Sequence, residues 1–440
     1  MGTRRILMPE EHPPLVQALP LSLQHMFAMF GATVLVPYLV GLDPSIALLA
    51  SGVGTLIYIV STRFQVPSYL GSSFAFIAPL IAASKAYGLP AALGGGVAAG
   101  LVYVLVALLV SRLGSEWIHT LMPPAFVGAI VIVIGLGLAP TAIDMAMKNA
   151  RGATDPGAML VAAVTLGVAL AVSVFGRGFL SVVPVLTGVI VGYAFAAARG
   201  MVDWAPVRSA AWIGLPHFTT PAFSLPAVAL VAPVALVTLA EHIGHLFVAN
   251  SIVGRDFFRR PGLHRSLLGD GLATMVASFL GGPPSTTYGE NLGVMAITRV
   301  YSVSVIGGAG LLAALLAFVP KLGAAIHAIP QPVMGGVSIL LFGTIAASGL
   351  RMLVDGRVDY SNQKNLMLSS VTLVVGLGGT AVDLGRFHLE GMALATGVGI
   401  LLNLAFLAVE RLRGREEEVG REAVTGPAEA LPLGGGLRRS

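Results

Sequence analysis

The chain predicts an all-α polytopic membrane protein, with about fourteen transmembrane spans arranged as two inverted seven-span repeats. Three observations lead there. Charged residues make up 11% of the 440 residues, against roughly 25% in soluble domains. Apolar stretches of about 17–25 residues recur from end to end, each able to cross a hydrocarbon core of roughly 30 Å. Two short stretches broken by Gly, Ser and Pro also recur in matching order in the two halves. Composition therefore excludes a soluble enzyme carrying one anchor. The absence of cysteine excludes disulfides, thiolate metal sites and cysteine nucleophiles. A pI near 9.6 does not indicate nucleic acid, because the basic residues lie in short connections between apolar stretches.

The first apolar stretch, 15–40, follows Arg4 and Arg5 and is too long for a signal-peptide core, so it reads as a retained span. Spans 45–61, 67–84, 89–110, 117–140, 157–175 and 179–198 complete the first half. The third opens at Pro67 and is interrupted by Gly71, Ser72 and Ser73. The second half reads 226–252, 264–281, 283–299, 301–319, 328–348, 366–384 and 389–409. Its tenth span follows the break Gly281-Gly-Pro-Pro284. Asp270 in the ninth span, beside a Gly-rich turn, is expected to cap or pack. With the N-terminus inside, the inner side collects 19 of the 26 Lys and Arg residues and the outer side seven, which predicts that both termini are cytoplasmic. The polar, Gly-rich tail 411–440 reads as disordered.

Segment 67–79, from Pro67-Ser-Tyr-Leu-Gly71 to Pro79, and segment 284–296, from Pro284-Ser-Thr-Thr-Tyr-Gly289 to Ala296, share one build. Pro123-x4-Gly128 and Pro330-x4-Gly335 form a second pair. Seven spans per repeat is an odd number, so the second copy enters the membrane upside down. Paired interrupted segments of this kind place a substrate site at the midplane between them. Their β-prone residues predict short extended pieces in spans 3 and 10, which membrane depth tolerates only where buried or lining a cavity. Each piece then leads into a half-helix whose free N–H groups face polar ligand atoms. Gly289 suits close approach to a ligand; Gly71 reads as a packing glycine.

Glu290 lies in the second interrupted segment, and an ionisable group at that depth costs roughly 2.5–3.5 kcal/mol on insertion scales. In the eighth span Glu241 and His245 stand four residues apart on one helix face, while His242 points to another neighbour. The spacing is not that of a zincin, where two histidines stand four apart around a glutamate, and no metal is expected. Gln24 and His25 in the first span face the same polar interior. Two acids, a histidine, Phe74 and free backbone N–H groups describe a pocket for a small, flat, polar ring, with aromatic stacking contributing roughly 1–3 kcal/mol. Residue chemistry alone reaches a polar small molecule, with a passive channel or an intramembrane hydrolase as rivals. The hydrolase lacks a nucleophile–base pair.

The run Glu290-Asn-Leu-Gly-Val-Met-Ala-Ile-Thr-Arg299 resembles the signature of the nucleobase–ascorbate transporter family. The likeness continues through Gln24-His-Met-Phe-Ala-Met-Phe-Gly-Ala-Thr33, Tyr69-Leu-Gly-Ser-Ser-Phe74, Ala240-Glu-His-Ile-Gly-His245 and Pro332-Val-Met-Gly-Gly-Val-Ser338, covering residues 15–410. The Glu-Asn pair resembles that of bacterial uracil carriers, where xanthine and urate carriers typically have Gln-Asn. This resemblance implies a core domain from 15–112 and 220–320 and a gate domain from 113–200 and 325–410. It implies proton-coupled uracil import across the inner membrane by alternating access, with a purine carrier of the same architecture as the alternative. Glu241 would bond the ring, Phe74 would stack, and the backbones of Gly289 and Ala32 would contact ring oxygens or nitrogens. His245 and Tyr288 would shape the pocket, with His25, Ser72 and Ser338 in support. A carboxyl taken out of water favours its neutral form, so Glu290, with Glu241, is the candidate proton carrier. Contact with membrane lipid and a gate-domain homodimer are also implied, and no cofactor. Phe342 departs from the pattern, standing where a relative has tyrosine.

Overall fold

A computed structural model describes residues 6–148, 152–384 and 387–424. Helices α1 (Leu15–Val40) and α2 (Pro44–Ser61) lead to strand β1 (Leu70–Ser72), a 3-10 turn at Phe74–Phe76, and α3 (Ile77–Tyr87). Then come α4 (Leu89–Leu113), α5 (Glu116–Leu121), α6 (Pro124–Gly137), α7 (Ala139–Met147), α8 (Pro156–Phe175) and α9 (Pro184–Ala198). After α10 (Ala205–Ser209), the second half runs α11 (Leu225–Val231), α12 (Val234–Val253), α13 (Leu263–Leu280), β2 (Ser285–Thr287) and α14 (Gly289–Thr298). It closes with α15 (Val303–Leu316), α16 (Pro320–His327), α17 (Gln331–Asp355), α18 (Gln363–Leu377), β3 (Ala381–Leu384), β4 (Phe387–Glu390) and α19 (Gly391–Val424).

Among the described residues, 8 helices are long and apolar enough to cross a membrane, or 9 if α15 and α16, bent by 86°, count as one span. The protein is a multi-pass membrane protein. Several expected spans are subdivided, and proline is the usual reason, since it removes a backbone donor and clashes with the preceding turn. The stretch 117–140 is three helices, restarted at Pro124 and Pro140; 226–252 is broken before α12 by Pro233. Expected spans 366–384 and 389–409 are separated by the antiparallel β3–β4 hairpin, which follows Gly379 in a left-handed conformation (φ +67°). Helix α19 continues through Val424, so part of the expected tail is helical, and 425–440 lie outside the described residues. Arg4, Arg5, Arg151 and Arg386, four of the 26 basic residues counted for orientation, lie outside them too.

Helices α2, α4, α13 and α15 pack as one group, and α6, α7, α8, α17 and α18 as another. Membrane helices lack a hydrophobic force between them, so small residues carry their close contacts. At Gly52 a Cβ would stand 2.3 Å from the carbonyl oxygen of Gly310. Gly52→Val is therefore expected to destabilise the protein by at least roughly 1–3 kcal/mol. An unchanged melting temperature in detergent would refute that contact.

The residues before α1 fold back on the end of α14. Leu7 N–H donates to the Arg299 carbonyl (3.1 Å), and Tyr301 N–H donates to that of Leu7 (2.7 Å). Glu10 pairs with Arg255, whose guanidinium holds that carboxyl below its ordinary range.

Candidate functional site

The two interrupted segments meet. β1 and β2 pair antiparallel, with Leu70 opposite Thr287, Gly71 opposite Thr286 and Ser72 opposite Ser285. Main-chain bonds extend the ribbon at both ends, from Tyr288 N–H to the Tyr69 carbonyl (3.0 Å) and from Ser73 N–H to that of Pro284 (2.9 Å). All six strand residues are buried. The partner strand answers one edge of each piece, and neighbouring helices answer the other, as a bilayer demands: Leu70 N–H donates to the Thr55 hydroxyl (3.0 Å), the Leu70 carbonyl accepts from Ser51 (2.6 Å) and the Ser285 carbonyl from Thr274 (2.8 Å). Gly71 is bare because the Tyr288 ring lies across it, within 2.4 Å of where a Cβ would sit. The Tyr288 hydroxyl donates to the Ser72 carbonyl (3.1 Å).

Each strand runs into a helix: β1 through the Phe74–Phe76 turn into α3, and β2 directly into α14. The Tyr288 side chain does not cap α14, so N–H groups of its first turn can meet polar ligand atoms, although that of Glu290 is engaged by its own carboxylate. Glu290 sits in that first turn. Asn291 fastens the helix: its side-chain amide donates to the Pro67 carbonyl (3.2 Å), and its oxygen lies 3.1 Å from His25 Nδ1.

A cavity of about 140 Å³ opens at this junction, lined by Phe74, Glu241, His245, Tyr288, Gly289 and Glu290, with Thr286 and Thr287. Its far wall is Val131 of α6 and Thr344, Ile345 and Ser348 of α17. The volume is below the ~300–1,000 Å³ of drug-sized sites, so the occupant is compact. A larger hollow of about 480 Å³ beside α1 and α9 is walled almost wholly by carbon, including Phe27, Leu186 and Leu312, and offers nothing to hold a polar ring.

Glu241 is buried, and its Oε2 has no hydrogen-bond partner. His245 Nδ1 lies 3.2 Å from the Thr287 hydroxyl. Its ring lies so near Gly289 that a Cβ there would be 3.1 Å from Nε2. Phe74 meets Phe342 edge to face, with ring centres 5.9 Å apart at 83°. The far wall's hydroxyls are engaged within their own helix: Thr344 donates to the Leu341 carbonyl (2.8 Å) and Ser348 to that of Thr344 (2.9 Å). The free acceptors and donors thus all stand on one side.

Six residues expected from the sequence therefore share one cavity. Ala32 is buried within α1 and His25 is turned to Asn291, neither forming part of the wall. Ser72 donates to the Thr33 carbonyl (3.2 Å), and Ser338 donates to Met334 in its own helix (2.7 Å). Val131, Thr344, Ile345 and Ser348 were not anticipated, since their types are ordinary for a membrane helix. The repeated Pro-x4-Gly spacing, which opens both α6 and α17, was the one available pointer to their helices.

His242 faces away, as expected, and meets Asp270: Nδ1 to Oδ2 is 2.9 Å with both side chains buried. Asp270 lies mid-helix in α13, so of the expected cap or packing contact the structure shows packing, as an interhelical pair. His242 Nε2 is 2.7 Å from the Ser266 hydroxyl, which is also 2.7 Å from that of Tyr58.

Broken spans meeting at a small, one-sidedly polar cavity within a bundle of apolar helices define a membrane transporter. A profile of a permease family that includes xanthine and uracil carriers matches residues 16–385. The chain belongs to this family, the nucleobase–ascorbate transporters. It is 55% identical over 402 residues to the uracil permease of Bacillus caldolyticus, covering 90% of this chain and 93% of that one. It is 51% identical over 416 residues to the uracil permease of Escherichia coli K12, covering 94% and 97%. The putative pyrimidine permease RutG of the same organism is 45% identical over 411 residues, covering 90% and 91%. Among solved structures, the transmembrane domain of the cyanobacterial bicarbonate transporter BicA superposes with a TM-score of 0.60 at 15% identity, covering 90% of this chain and 98% of that one. The murine anion transporter Slc26a9, inward-facing, gives 0.69 at 10% identity, covering 91% and 69%. These two likenesses concern the fold alone.

Proposed function

We propose that the protein is a proton-coupled uracil symporter working by alternating access, in the cytoplasmic membrane with both termini inside. The observation that carries this reading is the meeting of Glu241, Glu290, Phe74 and the free N-terminus of α14 around one compact cavity. A pyrimidinedione ring presents N–H donors, carbonyl acceptors and a flat π-face. Carboxylates accept from the first, helix N–H groups donate to the second, and Phe74 covers the third. Identity of 51–55% to uracil permeases over most of the chain supports the same substrate.

The one-sided polarity supports the transport cycle. Ligand contacts sit on α12, α14 and the ribbon, while α6 and α17 offer a nearly neutral wall. A substrate held by one body can therefore pass along the other without exchanging hydrogen bonds. In this reading fourteen crossings form two inverted repeats, with α1–α4 and α11–α15 as the core and α5–α9 and α17–α19 as the gate. Antiparallel pairing of equivalent strands and the matching starts of α6 and α17 support the inversion. Glu290, beside the ring and at a helix start, is the proton carrier.

Purified protein in liposomes tests this directly. Labelled uracil should accumulate when a proton gradient is imposed and not under a sodium gradient alone. Competition by xanthine as strong as by unlabelled uracil would instead assign a purine carrier. Phe74→Ala should weaken uracil binding by roughly 1–3 kcal/mol, or about 5–150-fold in Kd; binding within twofold of the parent would remove Phe74 from the site.

A further inference from the structure

A second hollow, of about 340 Å³, lies beside the substrate cavity and is lined by Val127, Gly244, Phe247, Val248 and Met352 among others. The same three helices contribute to both spaces. On α6 the step from cavity to hollow is from Val131 to Val127, on α12 from Glu241 and His245 to Gly244 and Val248, and on α17 from Ser348 to Met352. Each step is about one helical turn. The directions also agree, toward the C-terminal ends of α12 and α17 and the N-terminal end of α6. That side carries Arg255, Arg259, Arg351 and Arg357, so the hollow faces the cytoplasm by the positive-inside rule.

Gly244 and Met352 line the hollow but not the cavity, and they meet on the hollow's side of that step. Gly244 has no side chain, and Met352 fills the gap: a Cβ on Gly244 would stand 2.5 Å from Met352 Cε and 2.8 Å from Sδ, with Val127 Cγ1 at 3.8 Å. Methionine is unbranched and turns about three bonds, so it can leave such a seat without moving a helix. We propose that Met352, seated on Gly244 beside Val127, is the inner gate through which substrate leaves the cavity for the cytoplasmic hollow. This rests on the transporter reading above. The gate spans the two groups of helices, and it loosens when α17 and α12 part.

The chain's lack of cysteine makes single-cysteine reporters clean. Ser348→Cys reports from the cavity and Val248→Cys from the hollow, each probed with a membrane-impermeant maleimide on inside-out and right-side-out vesicles. Val248→Cys should react from the inner face. Ser348→Cys should react slowly from that face, and roughly tenfold or more faster when Met352→Ala is added, as expected if the open state is ~10% populated or less. Gly244→Ala, which displaces Met352 from the other side, should accelerate the same reaction and serves if Met352→Ala fails to fold. Unchanged Ser348→Cys labelling in both variants, or Val248→Cys labelling only from the outer face, overturns the gate. Labelling needs no uracil, so failure of the uracil reading appears separately, as absent uracil binding by the parent protein.

Discussion

Glu290→Gln is expected to abolish uphill uracil uptake while leaving exchange of labelled for unlabelled uracil in place. The amide keeps the size and hydrogen-bonding shape of a protonated carboxyl but cannot release a proton. With one proton per substrate, a pH difference of one unit supplies about 1.36 kcal/mol, enough for roughly tenfold accumulation in the parent. The variant should equilibrate to a ratio near one. Glu241→Gln provides the contrast. It removes a charge-assisted hydrogen bond of about 1.5–3 kcal/mol to the ring, so binding, exchange and uptake should decline together. Retained tenfold accumulation in Glu290→Gln places coupling elsewhere, and unimpaired binding in Glu241→Gln removes that residue from the ring.

Asp270→Ala should produce the largest loss of stability. Asp270 is 0% exposed and His242 1%, and their 2.9 Å approach joins α12 to α13. Removing one partner of a buried pair costs about 3–5 kcal/mol, because the other is left without compensation. Asp270→Asn, which keeps an acceptor for His242 Nδ1, should lose less. Thermal melting in detergent measures both, and an Asp270→Ala protein as stable as its parent would show that the pair is not structural. His242 follows Glu241 directly in the chain, so uracil affinity should weaken in the same variant through misplacement of that carboxylate.

Much of the site was legible because its residues are costly or special where they stand. Glu241 and Glu290 are acids in apolar spans, and the Gly/Pro-broken runs around Tyr69 and Tyr288 cannot be continuous helix. Their shared build in the two halves marks them as a pair, and in the structure they meet as β1 and β2. What was not legible is the wall made of ordinary residues: Val131, Ile345, Thr344 and Ser348 carry no mark separating them from lipid-facing neighbours. Ala32 is the converse case, absent from the cavity's lining. Its place in a matching motif implied ligand contact, whereas packing buries it inside α1. The span boundaries slipped where hydropathy runs through a break, as at Pro124 and Gly379, because apolarity measures burial in the bilayer and says little of where a helix stops. For Asp270 the sequence left cap and packing open; the structure shows packing, against a partner on another helix that no local pattern reveals.

The β1–β2 ribbon bears on how the protein is made. Tyr288 bonds a residue 216 positions earlier in the chain, and at about 5–20 residues per second its synthesis follows by roughly 10–40 s. Throughout that interval the Leu70–Ser72 segment has no strand to answer its main-chain groups. It must wait outside the hydrocarbon, or be sheltered by water or by the insertion machinery, until the second half arrives. Ribosome-bound chains halted before residue 284 should therefore hold this segment accessible to impermeant reagents, and longer ones should not. The candidate site is thus assembled late, when the strand that leads into Glu290 arrives and α17 follows with its part of the far wall.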